Sequence, residues 1–187
     1  RSYAQFPYAD APTKVIGYVS CHDNNTLYDK LVIANPKATE EELVQMDRLA
    51  NTIVFTSQSI PFLHMGEEMK RTKKGVENSY NAPDSINKIN WNWKHENGAL
   101  VEYYKKLIQL RKNHPAFKMP TEQMIQEHLE FLTLESPLLV GYTLKNNANG
   151  DSWKTIRVFF NGDEKAVNQP LEGSWVMVCN GELIDEK

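Results

Sequence analysis

At 187 residues the chain has room for one full domain or two small ones. Its 41% apolar, 10% aromatic and 24% charged residues supply a sizeable core and exclude a disordered or collagen-like chain. A net charge of -3 argues against a surface that binds nucleic acid by neutralising phosphates, and leaves carbohydrates and small molecules open as partners. Two cysteines, Cys21 and Cys179, are too few for a disulfide framework or a zinc site, and they leave the compartment undecided. No stretch approaches the roughly 20 apolar residues of a membrane span. The chain opens on Arg1 without an initiator Met or a signal-peptide core and closes just after a strand-and-turn pattern, which reads as a piece of a longer protein.

In chain order, Val15 to Cys21 form a short apolar run, the pattern of a strand buried on both faces, and lead into His22-Asp23-Asn24-Asn25. Thr39-Glu40-Glu41-Glu42 is a capping box and predicts a helix ending near Ser57. Leu43, Met46, Leu49, Ala50, Ile53 and Val54 recur at spacings of three and four and make one apolar stripe. A second apolar run, Ile60 to Met65, stops at Gly66, so strand, helix and strand compose a βαβ unit. Residues 70–97 are polar and too long for an ordinary connector, which marks a functional loop. Leu100, Tyr103, Tyr104, Leu107, Ile108 and Arg111 predict a helix after Asn97 that stops at His114-Pro115.

Beyond Pro120 the period shortens to about two. Leu129 to Leu134, Leu139 to Tyr142, Ile156 to Phe160 and Trp175 to Val178 read as strands, punctuated by Asn149-Gly150, Asn161-Gly162 and Asn180-Gly181, the strongest short hairpin signal. The last third is therefore an antiparallel β module, with its boundary between Thr121 and Glu127.

His22 and Asp23 lie past the end of the first strand, where α/β barrels and open parallel sheets place reacting groups. A carboxylate there can act as base, nucleophile, metal ligand or electrostatic stabiliser, and an imidazole can donate to a substrate hydroxyl. The dipeptide alone better suits an Asp that caps a helix beside a satisfied loop histidine.

The longer string Tyr18-Val19-Ser20-Cys21-His22-Asp23-Asn24-Asn25-Thr26-Leu27-Tyr28-Asp29-Lys30-Leu31 closely resembles the fourth signature region of the α-amylase superfamily of glycoside hydrolases, in its type I pullulanase form. Ser59 to Glu68 is similar to that family's last barrel strand. Arg71-Thr72-Lys73 and Asn78 to Asp84 resemble the loop after it, and Leu110 to Phe117 the end of the last barrel helix. The resemblance implies an α/β plus all-β architecture: the last βα units of a (β/α)8 TIM barrel in residues 1–120, then an antiparallel β-sandwich domain, cut short, in residues 121–187. It implies a part of a retaining hydrolase that cleaves α-1,6-glucosidic bonds in pullulan, starch or glycogen-type glucans. An α-1,4-acting relative and a non-catalytic glucan-binding fragment are the alternatives. Asp23 would stabilise the transition state, and His22 and Asn24 would bind sugar; in the long loop the amide, phenol and carboxylate of Asn78, Tyr80 and Asp84 suit sugar contacts, and a solvated loop accounts for them equally. The nucleophile and general acid have no matching segment, so an upstream part of the same enzyme becomes the expected partner and the chain alone is expected to be inactive.

Gly17, Asn25 and Tyr28 depart from the family pattern and leave His22 and Asp23 intact. Glu67 and Glu68 read as structural residues at a strand end. Trp91 and Trp93 suit a loop anchored by buried rings better than a sugar platform. His64 and His95 lack metal-ligand spacing, so no metal site is expected; no cofactor is required, and calcium stays open. Lys70-Arg71-Thr72-Lys73-Lys74 reads as a solvated basic face. A barrel remnant also implies open sheet edges and an uncovered surface that includes Leu43, Met46, Ile53, Tyr104 and Leu107.

Overall fold

The structure is a computed structural model that describes residues 9–186. It divides into two compact units. One holds residues 17–56, 61–110 and those from Val178 on; the other holds the described residues through Ile16, with Ser57–Ile60 and Arg111–Met177.

The chain runs from strand β1, Ile16–Gly17, through the signature string into helix α1, Leu27–Ala34, of the first unit. That helix is only eight residues long, shorter than the window over which a helical period is read. Its start is local: Thr26 is the N-cap, and its hydroxyl accepts from the Asp29 amide at 3.2 Å. Helix α2, Glu40–Thr56, begins as the capping box requires. The Thr39 amide donates to Glu42 at 2.6 Å, and the Glu42 amide donates to the Thr39 hydroxyl at 3.3 Å.

The buried side of α2 is not the purely apolar stripe that spacing suggests. Asp47 and Asn51 are buried between Leu43 and Val54, whereas Ile53 is exposed. The reason is helix α5, Gly98–Asn113, which presents two tyrosines to α2. The Tyr104 hydroxyl donates to Asp47 at 2.6 Å and accepts from Asn51 at 2.7 Å, and the Tyr103 and Thr52 hydroxyls lie 2.7 Å apart. A buried polar group must find a partner, so the tyrosines select polar residues on the facing helix. Leu43, Tyr104 and Leu107 are thus covered within the chain itself, contrary to the expectation of an uncovered surface.

Strand β2, Ile60–Pro61, pairs with β1. The Ile60 amide donates to Val15 and the Phe62 amide to Gly17, each at 2.9 Å; both strands advance by two in the same direction, so the pair is parallel. Both strands are shorter than expected, and Ile16 is 60% exposed rather than buried on both faces, because a two-stranded sheet has one neighbour per strand and leaves its faces open. Loop 70–97 contains two short helices, α3 (Asp84–Asn87) and α4 (Asn92–Glu96).

In the second unit, helix α6, Glu122–His128, is capped by the Thr121 hydroxyl, which accepts from Met124 at 3.3 Å. Strands β3 (Leu129–Phe131), β4 (Leu139–Lys145) and β5 (Thr155–Asn161) form an antiparallel sheet in that order, with Leu129 opposite Leu144 and Tyr142 opposite Val158. Gly141 lets β5 approach: a Cβ there would stand 2.9 Å from the Phe159 ring. The β4–β5 connection is not a two-residue Asn-Gly turn. It is a longer loop with Asn146, Asn147 and Asn149 in the left-handed region, tied down by Asp151. Asp151 accepts from His114 Nδ1 at 3.0 Å, the Ala116 amide at 3.1 Å and the Trp153 amide at 2.9 Å.

Residues 175–178 form no strand. Val176 and Met177 are exposed, no ladder partner lies beside them among the described residues, and the following Asn180-Gly181 turn closes a single bridge between Cys179 and Ile184.

Candidate functional site

The site lies wholly in the first unit. After β1 the chain leaves the sheet through Cys21 and enters the His22-Asp23-Asn24 turn, in which Asn24 has φ 60°. Asparagine tolerates this left-handed conformation better than most residues. His22 Nδ1 lies 3.2 Å from the Asp23 carboxylate, with side chains 84% and 72% exposed. The turn is tied from below. The Lys73 ammonium donates to the Asn24 carbonyl at 2.5 Å, to Glu77 at 3.3 Å and to His22 at 3.4 Å, and Asn25 Nδ2 donates to the Gly75 carbonyl at 3.2 Å. The basic run is therefore no solvated face. Lys73 is 1% exposed, and Lys70 is paired with Glu40 beside the Tyr28 ring.

β2 delivers His64, and the chain then turns sharply at Gly66, where φ is +97° and a Cβ would meet the Arg71 Cβ at 2.7 Å. The packing places the Arg71 guanidinium to donate to His64 Nε2 at 3.3 Å, to Met65 O at 3.2 Å and to Asn87 O at 3.1 Å. Burial and the adjacent Arg71 charge hold the His64 pKa below its ordinary value, so the imidazole is neutral and accepts from Arg71. Asn87 donates to the carbonyls of Ser79 at 2.7 Å and Ala82 at 3.0 Å, which fixes the loop carrying Tyr80.

Together these groups line an open cleft of about 180 Å³ in which Asp23 and His22 face Tyr80, His64 and Arg71. Of the sugar-binding residues expected from sequence, the cleft brings together His22, Asp23 and Tyr80; Asn24, Asn78 and Asp84 are exposed and do not line it. Asp84 begins α3, with a free edge to solvent. Sequence reasoning missed His64, Arg71, Lys73 and Asn87. Their signal is tertiary, apart from the Arg71-Thr72-Lys73 string itself.

Glu67 and Glu68 point elsewhere. Glu67 is buried and accepts from the Ser20 hydroxyl, and Glu68 accepts from the Gly66 amide at 3.0 Å. Desolvation pushes the Glu67 pKa up to about 7. Asp23 is the one carboxylate among the described residues lining the cleft. The cleft can hold a polyhydroxylated ligand through a carboxylate, an imidazole, a guanidinium and a phenol, and it can stabilise positive charge developing near Asp23. No group of three or more His, Cys, Asp or Glu among the described residues could hold a metal ion, and no helix is long and apolar enough to cross a membrane. A second cleft, of about 400 Å³, is lined by Trp91 and Trp93; Trp91 is 61% exposed, so it is not the buried anchor that sequence favoured.

Residues 125–183 match the family model described as the all-beta domain of pullulanase. The chain is 40% identical over 165 residues to a pullulanase of Bacillus subtilis (strain 168), an alignment covering 88% of this chain and 23% of that protein. A crystal structure of pullulanase type I from Bacillus subtilis str. 168 complexed with maltose superposes with a TM-score of 0.92 at 37% identity, over 100% of this chain and 26% of that one. Pullulanase from Paenibacillus barengoltzii, in complex with maltohexaose and alpha-cyclodextrin, superposes with a TM-score of 0.88 at 42% identity, over 94% of this chain and 27% of that one. The chain is similar to these pullulanases along most of its own length and spans about a quarter of theirs.

Proposed function

We propose that this chain is part of a pullulanase-type α-glucan debranching hydrolase, the part that supplies one wall of the cleavage subsite. The observation that carries the reading is the cleft that joins Asp23 and His22, at the exit of β1, to the loop after the parallel strand β2. In this reading residues 1–120 are the last βα units of a (β/α)8 barrel and residues 121–187 belong to its C-terminal β-sandwich. Two neighbouring parallel strands with helices between them, and a site at their outgoing ends, support it.

Asp23 is the transition-state stabiliser. Its carboxylate is held at the cleft surface and faces the electron-poor anomeric carbon as the glycosidic bond breaks, a charge that exists only in the oxocarbenium-like transition state. His22 and Tyr80 donate to sugar hydroxyls and orient the ring, and Arg71 and the neutral His64 fill the floor. A retaining mechanism needs a nucleophile and a general acid besides Asp23, and with one carboxylate in the cleft those two come from the upstream part of the same enzyme.

Assay of the full-length protein tests the function. Reducing ends released from pullulan, with none from purely α-1,4-linked amylose, are expected. Cleavage of amylose alone would replace debranching with an α-1,4 activity, and no cleavage of either would remove the enzyme reading.

A further inference from the structure

Lys73 is a long cation with 1% of its surface exposed, and among the described residues no carboxylate forms an ion pair with it. A buried ammonium is costly unless its protons are taken up. Here three backbone carbonyls, those of His22, Asn24 and Glu77, accept from the one Nζ. Two of the three flank Asp23 in sequence, and Asn24 is in the left-handed region. The same loop is fastened again on both sides. The Lys73 amide donates to Asp29 at 2.7 Å, the Thr72 hydroxyl to Asp29 at 2.5 Å, and Asn25 to Gly75 at 3.2 Å.

We propose that Lys73 is a positioning residue for Asp23: its ammonium, by drawing the His22 and Asn24 carbonyls to one point, sets the direction in which the Asp23 carboxylate and His22 imidazole leave the turn. It acts through the backbone on either side of Asp23. Because three carbonyls must converge for the charge to be satisfied, the burial of Lys73 is compatible with one turn geometry and penalises the others. A hydrophobic residue of similar length would fill the space without that requirement. The inference deepens the reading of Asp23 as the transition-state stabiliser and rests on it for its kinetic consequence. Its structural consequence, restraint of residues 22–25, stands apart from any substrate.

The experiment uses the full-length protein with Lys73→Met, Asp23→Asn and the double substitution, assayed on pullulan. Misplacing a reacting group by about 1 Å costs on the order of 100-fold, so Lys73→Met is expected to lower kcat roughly 100-fold with KM within about threefold. In the Asp23→Asn background the same change is expected to cost less than about fivefold, because the group it positions is already gone. Equal losses in both backgrounds would make Lys73 merely structural and overturn the inference. Should Lys73→Met not fold, Asn25→Ala, which cuts the parallel strut to Gly75, is expected to lower kcat about 3- to 10-fold with the same loss of effect in Asp23→Asn; an unchanged kcat overturns the inference.

Amide hydrogen exchange separates this from the function itself. Exchange at residues 22–25 is expected to accelerate at least about tenfold in whichever variant folds, with α5 unchanged. If the wild-type protein cleaves no glucan, the debranching reading fails while accelerated exchange still supports the restraint; unaltered exchange sinks the restraint whatever the activity.

Discussion

Asp29 and Lys73 stand 44 residues apart, and the Asp29 carboxylate accepts the Lys73 amide at 2.7 Å. The same carboxylate takes the Thr72 hydroxyl at 2.5 Å, so a first-turn residue of α1 anchors the loop that follows β2. Asp29→Ala leaves a buried amide and a part-buried hydroxyl without their acceptor. We expect it to lower stability by about 2 to 4 kcal/mol, read as a lower urea midpoint at unchanged slope.

Asp23→Asn in the full-length protein is expected to reduce turnover on pullulan at least roughly 100-fold, comparable to removing one preorganised stabiliser, while substrate affinity changes much less. His22→Ala should lose less, mainly in the ratio of turnover to KM. Near-normal turnover of Asp23→Asn would remove Asp23 from its assigned role.

The Asp47–Tyr104–Asn51 cluster and the nearby Glu67 make stability depend on pH. Desolvation is the largest influence on both carboxyls and pushes each up to about 7, against Tyr104, Lys70 and Arg48 acting to lower Asp47, Ser20 and Asn51 acting to lower Glu67, and Glu68 acting to raise both. With pKa values raised above the unfolded 3.8 and 4.5, the folded chain binds more protons between those values and about 7. Stability from these groups is therefore greatest below the window and falls as pH rises through it. Melting temperature measured from pH 8 down to pH 5 should rise by this contribution, and Asp47→Asn should flatten the dependence; a profile unchanged by Asp47→Asn would exclude Asp47 as its source.

In the other unit, Asp151 gathers His114, Ala116 and Trp153, and the His114 and Trp153 rings lie 3.5 Å apart. Asp151→Ala deprives three buried or part-buried donors of one acceptor. A loss of about 2 to 4 kcal/mol is expected, with accelerated exchange in residues 146–154 and little change in α2. Protection in 146–154 equal to that of the parent would show that the loop holds itself.

What the sequence determined by itself is local or periodic. The Thr39-Glu42 box set the start of α2, His114-Pro115 set the end of α5, and the alternating runs after Leu129 set three of four strands, because caps, proline and two-residue periods act within a few residues of themselves. The apolar run Val15 to Cys21 placed His22 and Asp23 after a strand for the same reason. The tertiary structure decided everything that depends on a distant partner. Asp47 and Asn51 face inward because Tyr104 stands opposite them, Lys73 is buried because the carbonyls of a turn about 50 residues earlier meet there, and Val178 stays out of the three-stranded sheet, its carbonyl accepting instead from the Asp185 amide. A side chain's type says what bonds it must make, and only the fold says whether water, a neighbouring helix or a turn makes them.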